Sequence, residues 1–148
     1  MFDFGLSKQF RSPETHLHIP LRGGCGLTGT STFASINSQA GLEVGRRDDL
    51  ESLAYILLYF LRGRLPWEDL ANTELVAQRK LECSVAELCH DLPIEFATLL
   101  EHSCSLQFQA KPDYNYLSRL FDHPLPRKGN HDDDVFDWGC ASDEPHNI

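Results

Sequence analysis

From Leu53 to Leu61 the chain reads Leu-Ala-Tyr-Ile-Leu-Leu-Tyr-Phe-Leu, without one polar residue. A helix over this run has no polar stripe to offer water, so the pattern predicts an enclosed helix. Asp48 and Asp49 stand where acidic residues favour a helix start. Arg62, Gly63 and then Pro66 supply the signals that end one. The central element is therefore expected over about 48–62. Its apolar run is roughly half the 20 or so residues a membrane span needs and is charged at both ends, which favours the core of a soluble globular unit.

The flanking pattern is different on the two sides. Residues 8–40 are rich in Gly, Ser, Thr and His with no helical period, which predicts a long extended segment lying on the surface of the rest. After the central run, helical signals return. Asn72 or Thr73 is expected to cap a helix through about Leu81, with Leu75, Val76 and Leu81 as its apolar positions. Ser84-Val85-Ala86-Glu87 has capping-box spacing and predicts a second, short helix. Pro93 suits the first turn of the next, with Phe96, Leu99 and Leu100 on its buried face. Asp113 is expected to cap a helix from Tyr114 to Phe121 that turns Tyr116, Leu117, Leu120 and Phe121 inward, stopped by Pro124 and Pro126. Beyond lies an acidic stretch with Asp132-Asp133-Asp134, where Val135-Phe136-Asp137-Trp138 is expected to fold back as an apolar clasp, followed by a flexible tail over 139–148. The sum is a mainly α architecture: a central buried helix, a long loop before it and three to four helices after it.

Composition narrows the function classes. A chain of 148 residues is one domain's worth. Its 22 acidic against 13 basic residues, a net charge of −9, disfavour nucleic-acid and anionic-membrane partners, because such a surface repels phosphates. The N-terminus has no basic segment leading into an apolar run, so no secretory signal is expected. Five cysteines, Cys25, Cys83, Cys89, Cys104 and Cys140, are odd in number and lack Cys-x-x-Cys spacing, which points to reduced thiols in the cytosol or nucleus. Gly24-Cys25-Gly26-Leu27-Thr28-Gly29 matches a phosphate-loop pattern, but no βαβ signal surrounds it, so a dinucleotide fold is not expected. His16, His18 and Cys25 lack zinc-site spacing and are expected to be ordinary loop residues. Trp67, in Leu65-Pro66-Trp67, is expected to pack as a plug.

The ordered motifs carry a resemblance. Asp3-Phe4-Gly5-Leu6-Ser7-Lys8, His18-Ile19-Pro20-Leu21-Arg22, Leu27-Thr28-Gly29-Thr30, Ser35-Ile36-Asn37, Arg46-Arg47-Asp48-Asp49-Leu50-Glu51-Ser52-Leu53, Leu65-Pro66-Trp67, Glu95-Phe96-Ala97-Thr98, Lys111-Pro112-Asp113-Tyr114 and Val135-Phe136-Asp137-Trp138 occur in this order. Together they resemble the C-terminal lobe of a casein kinase I type serine/threonine protein kinase, over residues 1–138. In that family, proteins are phosphorylated from Mg-ATP. The resemblance implies that Asp3 is the magnesium-holding aspartate, that Thr30 hydrogen-bonds the catalytic aspartate and lysine, and that Asp49 braces the catalytic loop, although Asp49 also reads as a plain helix cap.

The 148 residues contain no glycine-rich nucleotide cover in the right place, no nucleotide lysine and no His-Arg-Asp loop. The expectation is thus that the chain does not phosphorylate by itself and takes no cofactor of its own. Cys25 and Thr32 stand where the family carries a basic pair for acidic or prephosphorylated substrates, and Cys104 and Gln107 stand near expected arginines. Ala54 replaces an expected glycine. The alternatives are a non-catalytic, pseudokinase-type binding module and a fragment of an active ATP-dependent kinase. In the family the helix before the catalytic loop packs along the central helix; with it absent from these residues, one side of the Leu53–Leu61 run is expected to lie bare and to suit a protein partner.

Overall fold

The computed structural model describes residues 5–122. Within them the chain is mainly helical, and the only strand-like pairing is a single antiparallel bridge between Arg11 and His18. Asp3, the stops at Pro124 and Pro126, the Asp132-Asp133-Asp134 stretch, the expected clasp at Val135–Trp138, Cys140 and the expected tail over 139–148 lie outside the described residues.

The first helix, α1 (Ile36–Gln39), lies in the stretch read above as loop. Ser35 makes it possible: its hydroxyl accepts the Ser38 N–H, and Gly41 takes the left-handed conformation (φ 70°) that turns the chain away. Too short to show a period, α1 leaves only those cap signals in the sequence. Around it, residues 30–43 form a strap across the helical body.

The central helix, α2, runs Arg46–Arg62, two residues earlier than the aspartate pair suggests. Gly45 is its N-cap, and Asp48 sits one turn inside, its carboxylate accepting the Gly45 N–H at 2.8 Å. Asp49 is therefore not the cap. Gly63 ends the helix in the left-handed region (φ 75°), donating its N–H to the Tyr59 carbonyl, as the Arg62-Gly63 pair leads one to expect.

Leu50, Ala54, Tyr55 and Leu58 are buried on one face of α2, packed chiefly against α5 (Ile94–Ser105) through Leu99 and Leu100. Enclosure on all sides does not occur. Leu53 is 43% exposed and Phe60 74%, because a helical period of 3.6 places them opposite that face, and Leu61, in the last turn, is 48% exposed.

After α2 the chain turns through Leu65 and Trp67, both fully buried in the core. The third helix, α3 (Thr73–Glu82), is capped by the Asn72 side chain accepting the Leu75 N–H at 2.9 Å. Its inward face differs from the expected one: Val76 is buried, while Leu75 and Leu81 are exposed. The position one turn after Val76 belongs to Lys80, and it is Lys80 that the fold buries, to 2% exposure.

A short α4 (Val85–Leu88) starts at Ser84, whose hydroxyl accepts the Glu87 N–H. The Glu87 carboxylate turns away to Arg79 at 2.8 Å. Pro93 stands just before α5 as its cap, with ψ 140°, one position short of the first turn. Leu99 and Leu100 are buried there as expected, with Phe96 partly so. The last described helix, α6 (Tyr114–Asp122), is capped by Asp113 accepting the Tyr116 N–H. Leu117 is buried and Leu120 partly so, but Tyr116 and Phe121 remain about two-fifths exposed (39% and 42%), each covered on one side only, by His102 and Phe96 respectively.

Candidate functional site

The segment that carries the kinase-like motifs is attached to the helices through buried charge. Asp48 and Glu51 are each 3% exposed and stand one turn apart on α2. Asp48 Oδ1 accepts the Ser35 hydroxyl and the Asn37 amide, both at 2.9 Å, while Oδ2 takes the Gly45 N–H. Glu51 Oε1 accepts the Ile36 N–H and the Tyr55 hydroxyl, both at 2.9 Å. Ser35-Ile36-Asn37 thus docks on the Asp48–Glu51 pair with all three residues engaged. Burial raises the Glu51 pKa against the pull of these two hydrogen bonds, with Asp48 adding repulsion and Lys80 relief. Tyr55 is pushed upward by burial and by Glu51, so it stays a neutral donor.

Lys80 supplies the cation on the other side of the strap. Its ammonium donates to the Ser31 carbonyl at 2.9 Å and the Ala34 carbonyl at 2.6 Å, and lies 4.7 Å from the Tyr55 ring centre and 5.1 Å from that of Trp67. Two carbonyls and two ring faces replace the water it has lost. Burial brings its pKa down to about 8, against the opposing attraction of Glu51. Trp67, the expected plug, also reaches the strap, its indole N–H donating to the Thr32 carbonyl at 2.9 Å.

Further along, Glu43 is a third buried acid, paired with Lys8 at 2.5 Å and Arg22 at 3.7 Å. Main-chain bonds from Cys25 to Gly41 and from Glu43 to Arg22 tie the glycine-rich stretch alongside. A Cβ at Gly41 would come within 3.1 Å of the Cys25 carbonyl, so this residue type is fixed by the close approach as well as by its φ.

A cavity of about 320 Å³ opens where the first described residues meet the start of α2, lined by Leu6, Lys8, Phe10, Ile19, Arg46 and Asp49 among others. Asp49 is exposed to it, and its carboxylate accepts no hydrogen bond among the described residues. Partial desolvation at this wall, then the neighbouring Asp48 charge, raise its pKa. Arg46 is not free to answer it: its guanidinium stacks 4.3 Å above the Phe10 ring and donates to the Gln109 carbonyl. Thr30 lies elsewhere, exposed in the strap, where its carbonyl accepts the Phe33 and Ala34 N–H groups. Of the three residues singled out by the resemblance, Asp49 alone lines this cavity, while Asp3 lies outside the described residues.

The loop histidines have structural roles. His18 packs between the Phe10 and Phe108 rings with Nδ1 2.8 Å from the Ile19 carbonyl, and His16 is exposed in a tight turn at φ 57°. Among the described residues no cluster of three or more metal-ligating side chains occurs. Burial raises the Cys83 and Cys89 thiol pKa values, which makes both poor nucleophiles. No described helix is long and apolar enough to cross a membrane. No protein-family model matches the chain.

Sequence reasoning missed Glu51, Lys80 and Glu43. A charged residue on a helix is normally solvated, and only the turn of the helix that brings Lys80 one turn from Val76 marks it as inward. What this arrangement offers chemically is anchoring: its buried acids and its buried lysine are committed to internal partners. Asp49 faces the cavity together with Ser7, Lys8, Gln9 and Arg46.

Proposed function

We propose that residues 1–138 are the activation segment and C-terminal lobe of a casein kinase I-like serine/threonine protein kinase, and that the 148-residue chain by itself transfers no phosphate. The observation that carries the reading is the interlock of two blocks that match that family, one of which, Ser35-Ile36-Asn37, is peculiar to it. Ser35-Ile36-Asn37 engages Asp48 and Glu51 of Arg46-Arg47-Asp48-Asp49-Leu50-Glu51-Ser52 through three hydrogen bonds of 2.9 Å. In this reading Asp49, with its free carboxylate at the cavity wall, braces the backbone of a catalytic loop, Thr30 contacts that loop's aspartate and lysine, and Asp3 holds magnesium. Mg-ATP would be gripped by groups that the 148 residues do not include, since one carboxylate cannot hold a magnesium nucleotide. A cytosolic or nuclear setting with reduced thiols belongs to the same proposal.

Two experiments test it. Purified chain incubated with labelled ATP and an acidic, casein-like substrate is expected to transfer no more label than a mock preparation, and transfer above it would overturn the inactive assignment. A chimera joining the N-lobe and catalytic loop of a casein kinase I type enzyme to this chain from Phe2 onward, so that Asp3 is kept, is expected to fold and bind a magnesium nucleotide. A folded chimera without nucleotide binding sinks the kinase-lobe reading.

One observation favours a second reading, a non-catalytic protein-binding module. Leu53 and Phe60 stand exposed on the same side of α2, an apolar face suited to a protein partner.

A further inference from the structure

Beyond the kinase reading, and independent of it, stands the manner in which the strap is held. We propose that residues 30–43 form a strap that lifts from the helical body as a unit while the apolar core stays folded, with Lys80 as its latch. The contiguous core is built from α2 to α6 and the Leu65–Trp67 turn, and the strap's apolar contribution to it is the partly buried Phe33. Ala34 is buried as well, and the hydrogen-bonded ties are Lys80 to the Ser31 and Ala34 carbonyls, Trp67 to the Thr32 carbonyl, Asp48 to Ser35 and Asn37, and Glu51 to the Ile36 N–H.

Water can replace polar ties one for one, whereas it cannot replace apolar contacts. The strap's own hydrogen bonds, Gln39 to Ser35, Ala40 to Ile36 and Leu42 to Asn37, are internal and travel with it. Such a segment opens at lower free energy than the core beneath it.

Lys80 regains hydration on lifting, as do the Asp48 and Glu51 carboxylates. Burial raises the Glu51 pKa, so that group acts in the opposite sense on the acid side, and Lys80 governs the alkaline side. Of the ionisable side chains facing it, Glu51 and Tyr55 both belong to α2, while the strap and the Trp67 turn present carbonyls and a ring. In the latched form its pKa lies at about 8, below the ordinary lysine value that exposure restores. Between those values lifting takes up a proton, so raising the pH favours the latched form and lowering it favours release.

The test is native-state hydrogen exchange on the full chain, read at the Ile36 amide, the strap N–H that Glu51 of the body accepts, and at the Leu99 and Leu100 amides of α5. At pH 7 the Ile36 amide is expected to exchange at least roughly tenfold faster than those of α5, once corrected for intrinsic rates. Lys80→Met orphans two carbonyls and leaves Glu51 without its nearby cation. It is expected to speed strap exchange by about tenfold more without changing the α5 amides. Should that variant fail to fold, the unaltered protein still decides the matter, because the ratio of strap to α5 exchange must fall between pH 7 and pH 9. Strap and α5 amides that exchange together, a Lys80→Met effect equal on both, or a ratio that does not fall with pH overturns the proposal.

Discussion

The strap and the helical body are two solutions to the same problem of holding chain in place. In the body, Leu58, Leu65, Trp67 and Leu100 are at most 1% exposed and interlock over α2 and α5, so position follows from apolar area removed from water. In the strap, backbone carbonyls, a serine and an asparagine meet two carboxylates and an ammonium, so position follows from direction and charge. The first arrangement tolerates conservative exchange among apolar residues. The second specifies one geometry and fails when a single partner is removed, because the other is left buried and unpaired.

Trp67 belongs to both regions and gives the largest test of the contrast. Trp67→Ala removes a fully buried indole, its edge-on packing with Tyr55 at 5.2 Å and the bond to Thr32. The expected loss is about 3 to 5 kcal/mol in denaturant unfolding. Loss of the strap's protection with the body's melt unchanged would show that the residue serves only the strap.

Next comes Asp48→Ala, which leaves the Ser35 hydroxyl, the Asn37 amide and the Gly45 N–H without their acceptor. A cost of about 1 to 3 kcal/mol is expected, with proteolytic cleavage appearing first within residues 30–43. Cleavage beginning in α5 instead would contradict the division into strap and body.

Glu51→Gln sharpens the electrostatic side. Since the Glu51 pKa is raised by burial, the folded chain holds this proton more tightly than the unfolded one, and the group's contribution to stability falls as pH rises through that window. The wild type is therefore expected to gain on the variant as pH is lowered from 7 toward the ordinary glutamate range. A difference in unfolding midpoint that stays constant over that range would refute the buried-charge assignment.

Smaller still are two changes away from the junction. Asn72→Ala removes the α3 cap and is expected to cost about 1 kcal/mol. Phe60→Ser, at a side chain 74% exposed, is expected to shift stability by less than about 0.5 kcal/mol while reducing binding of an apolar-sensing dye. A large loss at Phe60 would mean that this face is packed against something.

The body was far more legible in the sequence than the strap. Runs such as Leu53–Leu61, cap signals at Asn72, Ser84 and Asp113, and the Gly63 stop carry local rules that act within one turn, and α2 to α6 follow from them. Which face turns inward is a tertiary matter, and there the pattern misled: Leu81 is out and Lys80 in because the strap's carbonyls need a donor at that point. Likewise nothing local announces that Asp48 and Glu51 are interior, since their partners lie between 11 and 15 residues away in sequence. Asp49 stands out in the sequence as a helix-start residue, and as a site residue only through family likeness. Its position beside the cavity follows from α2 beginning at Arg46, a register the aspartate pair did not indicate.

The first two residues of α2 also set a timetable for assembly. Arg47 donates to the Leu106 carbonyl and Arg46 to that of Gln109, contacts that span 59 and 63 residues of chain. At a synthesis rate of roughly 5 to 20 residues per second, both guanidinium groups leave the ribosome several seconds before their acceptors exist. The α2 start therefore spends that interval hydrated and unanchored, and the join between it and the turn after α5 is among the last to close, whatever forms first in between.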